Sequence, residues 1–293
     1  MIQLLPLTVL IAAKDEECNI GRCLASLSPA ERTIVVDSRS GDRTAAIAAD
    51  QGAEVVQFEY RGGYPKKRQW ALDTLAITTP WVLLLDADEA VPSELWQEIA
   101  SVITKSGGAD AYFVTKGFHF LGRRFRFGGF SHRAVILFRK GKARFERLVL
   151  ESDSGLDMEV HERVIIDGKL SKLNSPLIHE DFKGLSAYVE RHNRYSSWEA
   201  RFRYSFLHDG PEERNGIPAN LFGNLQEQRR FLKMIAMRVP FEPQLWFLYH
   251  YIVGLGFLEG RPGLIASQIR ASYIAQVRAK LFELVKQNGE VDR

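Results

Sequence analysis

Short apolar runs alternate along the first part of the chain with segments whose apolar positions recur at helical spacing. Leu7–Ala13, Thr33–Val36, Glu54–Phe58 and Trp81–Leu85 predict strands. In Trp81-Val-Leu-Leu-Leu85 nothing alternates, as expected of a strand buried on both faces of a parallel sheet. Ile20, Cys23, Leu24 and Leu27 fall at i, i+3, i+4 and i+7, an amphipathic helix stripe that Pro29 closes. Asp42 is placed to cap a helix running to about Gln51, and Gly52 to end it. Gly62-Gly63 breaks the chain before a helix over Lys66–Leu75. Strands alternating with helices at this spacing predict an α/β fold, a mostly parallel sheet with helices on both faces.

The later pattern is looser. A helix is predicted over Ser93–Thr104 and strands over Tyr112–Thr115 and Val135–Phe138. Between those strands lies an aromatic, basic and glycine-rich stretch, Lys116–Phe130, predicted as a loop that covers a ligand or meets an anionic one. Its interleaved Arg and Phe also suit single-stranded nucleic acid, which nothing else in the chain supports. Ile165–Lys169 reads as a strand and turn, Leu185–Arg203 as a helix and Leu207–Asn220 as a polar linker. Beyond it, Leu245–Leu258 carries no formal charge. It is too short to span a bilayer, but long enough to lie in its interface with tyrosines and tryptophan at the headgroups.

Composition narrows the class. The 293 residues are 45% hydrophobic and 26% charged, the balance of a soluble globular chain with a real core. A net charge of +3 does not argue for nucleic acid. Cys18 and Cys23 form neither a Cys-x-x-Cys pair nor a disulfide framework, which fits a reducing compartment. The N-terminus has no basic residue before its apolar run and does not read as a signal peptide.

The chemistry gathers where the strands end. Asp15 and Glu16 follow the first strand, Asp37 the second, and Asp86 and Asp88 the fourth. Ligands of open parallel sheets collect at these carboxyl ends. If the backbone stays extended through Asp86-Ala-Asp88, both carboxylates point one way, as hard ligands for Mg²⁺ or Mn²⁺. No Gly-x-Gly-x-x-Gly or P-loop is present, which counts against a dinucleotide dehydrogenase or a P-loop kinase. Acidic groups at the first two strand ends suit a base and ribose, and those at the fourth a metal on a diphosphate.

Val9-Leu-Ile-Ala-Ala-Lys-Asp-Glu16, Val35-Val-Asp-Ser-Arg-Ser-Gly-Asp-Arg-Thr44 and Leu84-Leu-Asp-Ala-Asp-Glu89 resemble the family 2 glycosyltransferases of the GT-A (Rossmann-like) fold. Later tokens narrow the likeness to the bacterial lipopolysaccharide-core and exopolysaccharide enzymes: Leu137–Arg144, Val160-His-Glu162, Asp167-Gly-Lys169, Ile178-His179 and His192–Ser196. The resemblance implies donor contacts at Ala13, Asp15, Glu16, Asp37, Ser40, Arg68, Asp86 and Ala87. It implies Mg²⁺ or Mn²⁺ at Asp88 and His179. Lys66-Lys-Arg68 matches a basic group near the nucleotide; the competing reading is a solvated helix face. Glu162 is the implied general base, with Asp157, Glu159, Glu180 and Asp181 as rivals. Relatives lead one to expect Arg just before Leu137, where this chain has Ile136, so no anion contact is expected there.

The expected organisation is a nucleotide-sugar-binding half (1–115), an acceptor and catalytic half (116–206) and a C-terminal helical, membrane-associating extension (207–293). The expected activity is inverting, metal-dependent transfer of a hexose, glucose foremost, from a UDP-sugar to a lipopolysaccharide core or lipid-linked saccharide. The protein is then cytoplasmic and peripheral on the inner face of a bacterial plasma membrane, with an anionic membrane surface as a partner. The alternatives are a nucleotide-sugar nucleotidyltransferase, disfavoured because no glycine-rich basic loop follows the first strand, and a non-catalytic sugar-nucleotide-binding or membrane-recruitment protein.

Overall fold

The computed structural model describes residues 4–147, 157, 159, 162–209 and 219–288. Val160 and His161, and residues 210–218 of the expected linker, lie outside the described residues. The chain divides into two compact units.

The first unit is built on β1 (Leu5–Ala13), β2 (Ala30–Asp37), β3 (Glu54–Gln57) and β4 (Trp81–Asp86), which run parallel in the order β3-β2-β1-β4. Around them lie α1 (Ile20–Ala25), α2 (Thr44–Asp50), α3 (Lys67–Thr74) and α4 (Ser93–Ile103). The unbroken apolar run of β4 is buried from Trp81 through Leu85, as its lack of alternation requires. Thr8 and Thr79 share their hydroxyls at 2.7 Å, so that even the polar residue inside β1 is satisfied.

Past β4 the sheet is mixed. It continues through β8 (His132–Arg139), β6 (Ala111–Phe120) and β12 (Leu177–His179) to β5 (Glu89–Ala90), and β11 (Leu170–Lys172) and β7 (Arg123–Arg124) pair with β6. A small hairpin of β9 (Ala143–Phe145) and β10 (Val164–Ile166) stands apart. β5 follows β4 after a two-residue turn, yet its ladder partner is β12 at the far end of the strand order. The sheet therefore curls until its last strands approach the end of β4.

Two expectations change here. Lys116–Phe120 is not loop but the second half of β6. Gly117 marks a close strand approach: a Cβ there would sit 2.8 Å from the Leu177 carbonyl of the neighbouring β12. And the backbone does not stay extended to Asp88, because β4 ends at Asp86 and Ala87-Asp88 forms a turn.

The second unit contains α5 (Gly184–Asp209), α6 (Leu225–Ala236), α7 (Glu242–Leu248) and α8 (Gly260–Gln287), and α5 runs past the expected end at Arg203. A π-helical turn over Tyr249–Val253 and a 3₁₀ turn over Gly256–Glu259 connect α7 to α8. Its apolar core is small: Ala200, Tyr273, Ile274 and Val277. Beside it Arg203 grips Glu242 through two bonds of 2.8 and 3.0 Å and Glu199 through two of 2.9 and 3.3 Å, while the Tyr273 hydroxyl donates to Glu199 at 2.6 Å. Such a buried set is tolerated because every charge has a partner. Phe125–Phe130 belongs to this unit too: the Glu259 carboxylate accepts the Arg126 and Phe127 amides at 2.6 and 2.8 Å, and the Gly128 amide donates to Gly254.

Candidate active site

Parallel register aligns the carboxyl ends of three strands. Ala13 pairs with Asp37, and Ala12 with Asp86. Asp37, almost fully buried, accepts the Ser40 hydroxyl, the Ser40 amide at 3.1 Å and the Gln57 amide group at 3.0 Å. The Ser40 hydroxyl in turn accepts the Asp15 amide at 2.8 Å, and the Asp15 carboxylate accepts the Gly41 amide at 2.8 Å. The loops after β1 and β2 are thus locked to each other. Glu16 turns elsewhere. It binds Lys183 at 2.6 Å and Asn19 at 2.7 Å, and Asn19 also binds Asp181 at 2.9 Å. Burial raises the Glu16 carboxyl despite these donors.

The turn after β4 holds the densest charge. Asp86 takes Arg68 on one oxygen and Lys116 on the other at 2.9 Å. Lys116 also reaches Glu89, which is fully buried, at 2.6 Å. Asp88 faces His179, with 3.3 Å between Oδ2 and Nε2. His179 arrives from far along the chain because β12 is wedged between β5 and β6, with His179 opposite Glu89 on one side and Phe118 on the other. Arg22 ties the turn down by donating to the Asp88 carbonyl at 2.8 Å and the Glu180 carbonyl at 2.6 Å. Ala87 is buried within the turn.

Three consecutive basic residues at the start of α3 bind the site together. Lys66 pairs with Glu162. Lys67, 1% exposed, donates to the Ala13 carbonyl at 2.8 Å and pairs with Asp157 at 3.2 Å. Arg68 pairs with Asp86 and donates to the Glu159 carbonyl at 2.8 Å. The solvated-face reading of this triplet is therefore wrong. Glu159 caps α3 from outside, accepting the Arg68 and Gln69 amides at 3.1 and 2.9 Å, donors that the helix itself leaves open. Of the rival bases, Glu159 is thereby committed to the helix, Asp157 to Lys67 and Glu180 to Arg22 at 3.6 Å.

The charges balance in pairs. Burial would raise Asp86, but Arg68 and Lys116 outweigh it and hold the carboxyl far below its usual range. Burial would lower Lys116, but Asp86 and Glu89 hold it above its ordinary value. Glu89 stays raised, because burial outweighs Lys116. Burial would lower His179 too, but the Asp88 carboxylate pushes it up to about 9, so the imidazole is protonated at neutral pH.

Asp88 and His179 are the donors that fit a divalent ion. Their 3.3 Å separation is near the edge between adjacent ligands of an octahedral ion with bonds of about 2.1 Å. Among the described residues no cluster of three or more His, Cys, Asp or Glu suits a metal. An ion on this pair would complete its shell from water and phosphate oxygens, as Mg²⁺ commonly does. It must displace the imidazole proton. Without metal, the stability contributed by the Asp88–His179 pair is full below about 6.5 and is lost as pH rises through about 9. Mn²⁺ titrations in buffers of different ionisation heat are expected to show proton release at neutral pH and affinity that tightens toward pH 9. An affinity flat across that range would remove His179 from the ligand set.

Lys116, Glu89 and Arg22 escaped the sequence reading. Lys116 was hidden by the glycines and aromatics around it. Its signal is strand phase: counted from the buried Val114, it falls on the same face. Glu89 stood beside the Asp-x-Asp without a role, and nothing local marks Arg22. Ile136 is buried in the sheet, in keeping with its apolar side chain.

A curled, mostly parallel sheet with helices around it and acidic groups gathered at its carboxyl strand ends is the architecture of a GT-A glycosyltransferase. The chain belongs to glycosyl transferase family 2, whose profile matches residues 8–154. The nucleotidyltransferase and non-catalytic alternatives give way to that membership. The lipopolysaccharide core biosynthesis glycosyltransferase LpsC of Rhizobium meliloti is 26% identical over 289 residues, spanning 97% of this chain and 94% of that one. An uncharacterized glycosyltransferase of Rickettsia felis is 26% identical over 293 residues, spanning 98% and 93%. Among solved structures, glucosyl-3-phosphoglycerate synthase from Mycobacterium tuberculosis, crystallised with Mn²⁺, uridine diphosphate and glucosyl-3-phosphoglycerate, is 25% identical over 40% of this chain and 45% of its own, with a TM-score of 0.31.

Proposed function

We propose that the protein is an inverting, metal-dependent hexosyltransferase, using a UDP-sugar, glucose foremost, and a lipopolysaccharide core or lipid-linked saccharide acceptor. It works in this reading at the cytoplasmic face of a bacterial plasma membrane. The observation that carries the chemistry is the Lys66-Lys67-Arg68 triplet, which ties Glu162, the end of β1 and Asp86 to one helix start. A base, a nucleoside floor and a diphosphate site are thereby held to common geometry, as an in-line transfer needs. The near full-length likeness to a lipopolysaccharide core enzyme supports the acceptor class.

In this reading Asp37, fixed by Ser40 and Gln57, contacts the nucleoside, with Ala13 and Asp15 beside it. Asp86 and Ala87 shape the diphosphate end. A divalent ion on Asp88 and His179 would supply charge stabilisation for the departing diphosphate. Glu162 takes the proton of the acceptor hydroxyl as its oxygen attacks the anomeric carbon, and Lys66 holds that carboxylate in place.

Two measurements test this. UDP release with Mn²⁺ and a panel of sugar nucleotides is expected to single out one UDP-hexose, and the same compound should raise the melting temperature by binding only the folded state. Glu162→Gln keeps the shape and an oxygen for Lys66 while removing the basicity. It is expected to slow turnover by roughly 10²-fold or more with that melting shift preserved. A near-normal rate would move the base to Asp157, Glu159, Glu180 or Asp181.

A further inference from the structure

The segment from Phe241 to Leu258 is built inside out. Its carboxylate and imidazole side chains face inward: Glu242 is 2% exposed, His250 5%, and Glu259, just beyond, 2%. Its large apolar side chains face outward, with Ile252 50% and Val253 71% exposed. Leu245, Leu248, Ile252 and Val253 recur at helical spacing, so they form one stripe, and Phe257 and Leu258 extend the exposure through the 3₁₀ turn. A helix in water does the reverse.

Each of the three inward side chains is anchored, with His250 held through one ring nitrogen only. Arg203 grips Glu242, the His250 Nδ1–H donates to the Gly128 carbonyl at 2.5 Å, and Glu259 accepts two backbone amides. The bend after the π-turn is closed tightly enough that a Cβ on Gly256 would fall 2.5 Å from the His250 carbonyl. The apolar face is therefore presented by a pinned element. Trp246 does not contribute to it as the sequence led one to expect. It stacks on His250 at 5.3 Å and lies under the Arg270 guanidinium.

Charge decides the occupant. From Leu221 to Arg293 the chain has 10 Lys plus Arg against 6 Asp plus Glu. Two of those carboxylates, Glu242 and Glu259, are buried, while Arg229, Arg238 and Arg261 are exposed. A second copy docking the same face on itself would set like charges against like. An anionic lipid surface meets the cations with phosphate and the apolar stripe with acyl chain.

The geometry points to this face, Leu245 through Leu258, as a monotopic docking surface that inserts into the headgroup region of an anionic bilayer. Its purpose rests on the lipid-linked acceptor proposed above: the catalytic unit is held beside a substrate that never leaves the membrane. Among the described residues no helix is long and apolar enough to cross one.

Sedimentation with vesicles tests the surface. The full chain is expected to bind mixed phosphatidylcholine and phosphatidylglycerol vesicles, more weakly but still measurably as salt rises. Ile252→Ser with Val253→Ser should weaken binding by roughly tenfold or more without lowering the melting temperature, since both side chains already face outward. Arg238→Glu with Arg261→Glu should remove the salt-sensitive part. UDP release is followed on the same preparations. Turnover without vesicle binding at low salt overturns the surface alone, and vesicle binding without turnover overturns the donor reading alone. A wild-type dimer that the Ile252 and Val253 changes convert to monomer would give the face to a second copy and overturn the lipid assignment.

Discussion

Asp88→Ala is expected to reduce glycosyl transfer by roughly 10²–10³-fold, the range seen when one pre-placed electrostatic group is removed from an active site. The side chain is 10% exposed and pairs with His179. The backbone is what anchors the turn, through the Asp88 carbonyl that accepts Arg22 at 2.8 Å and the Glu180 amide at 3.0 Å, and alanine keeps it. The loss of stability should therefore stay at about 1–3 kcal/mol, the worth of a hydrogen bond to a charged group. Without the carboxylate, burial lowers His179 with only Glu89 left to raise it, and the imidazole stands as a lone nitrogen ligand. Mn²⁺-dependent binding of the nucleotide should weaken together with turnover. The assay is UDP release against Mn²⁺ concentration, with a melting curve as the fold control. Full activity in this variant, or in the native protein under excess chelator, would take the metal out of the mechanism.

Lys116→Met should act on stability instead. Lys116 neutralises Asp86 at 2.9 Å and Glu89 at 2.6 Å, and Glu89 has no exposure to water. Removing one partner of a buried ionic group strands the other, which costs about 3–5 kcal/mol. The double variant Lys116→Met with Glu89→Gln should recover part of that loss, since Glu89 then carries no charge and Asp86 keeps Arg68. The pH dependence carries the sign. Glu89 is raised in the folded protein by burial, so its contribution is fully present below about 4.5 and is lost as pH rises through its folded value. Asp86 is held low chiefly by Arg68 and Lys116 against burial, so its contribution is present above about 3.8 and lost in acid. Deleting Lys116 raises the first carboxyl further and holds the second down less. Both changes make the gap from wild type widest at neutral pH and narrower in acid. Denaturant unfolding at neutral and mildly acidic pH reads this directly, and a gap that is small at neutral pH would show the cluster to be solvated.

The sequence could be read where structure depends on near neighbours. The strands β1 to β4, the helices between them and the collection of acids at strand ends follow from local periodicity, because a parallel sheet covered by helices leaves continuous apolar runs. The Asp-x-Asp was conspicuous for the same reason: it ends such a run. Its conformation was not legible. Extended geometry was expected through Asp88, but β5 must leave β4 at once to reach β12, so the chain turns at Ala87-Asp88. Gly117 looked like loop punctuation because a glycine that relieves a close strand approach is spelled like one that makes a turn.

Alone, the sequence determined the order of elements, the α/β class, the family resemblance and the uncharged run near the C-terminus. Tertiary structure decided which charges meet. Lys66, Lys67 and Arg68 read equally well as a solvated face until Glu162, Asp157 and Asp86 were brought against them. His179 faces Asp88 through strand register, and Lys116 bridges Asp86 and Glu89 because β6 extends to Phe120. In the run from Leu245 to Leu258, composition was visible but direction was not, and Trp246 turned inward while Ile252 and Val253 turned out. Periodicity reports which side chains share a face. What that face meets depends on residues distant in sequence, whose approach is set by strand order and by the pairing that buried charges require.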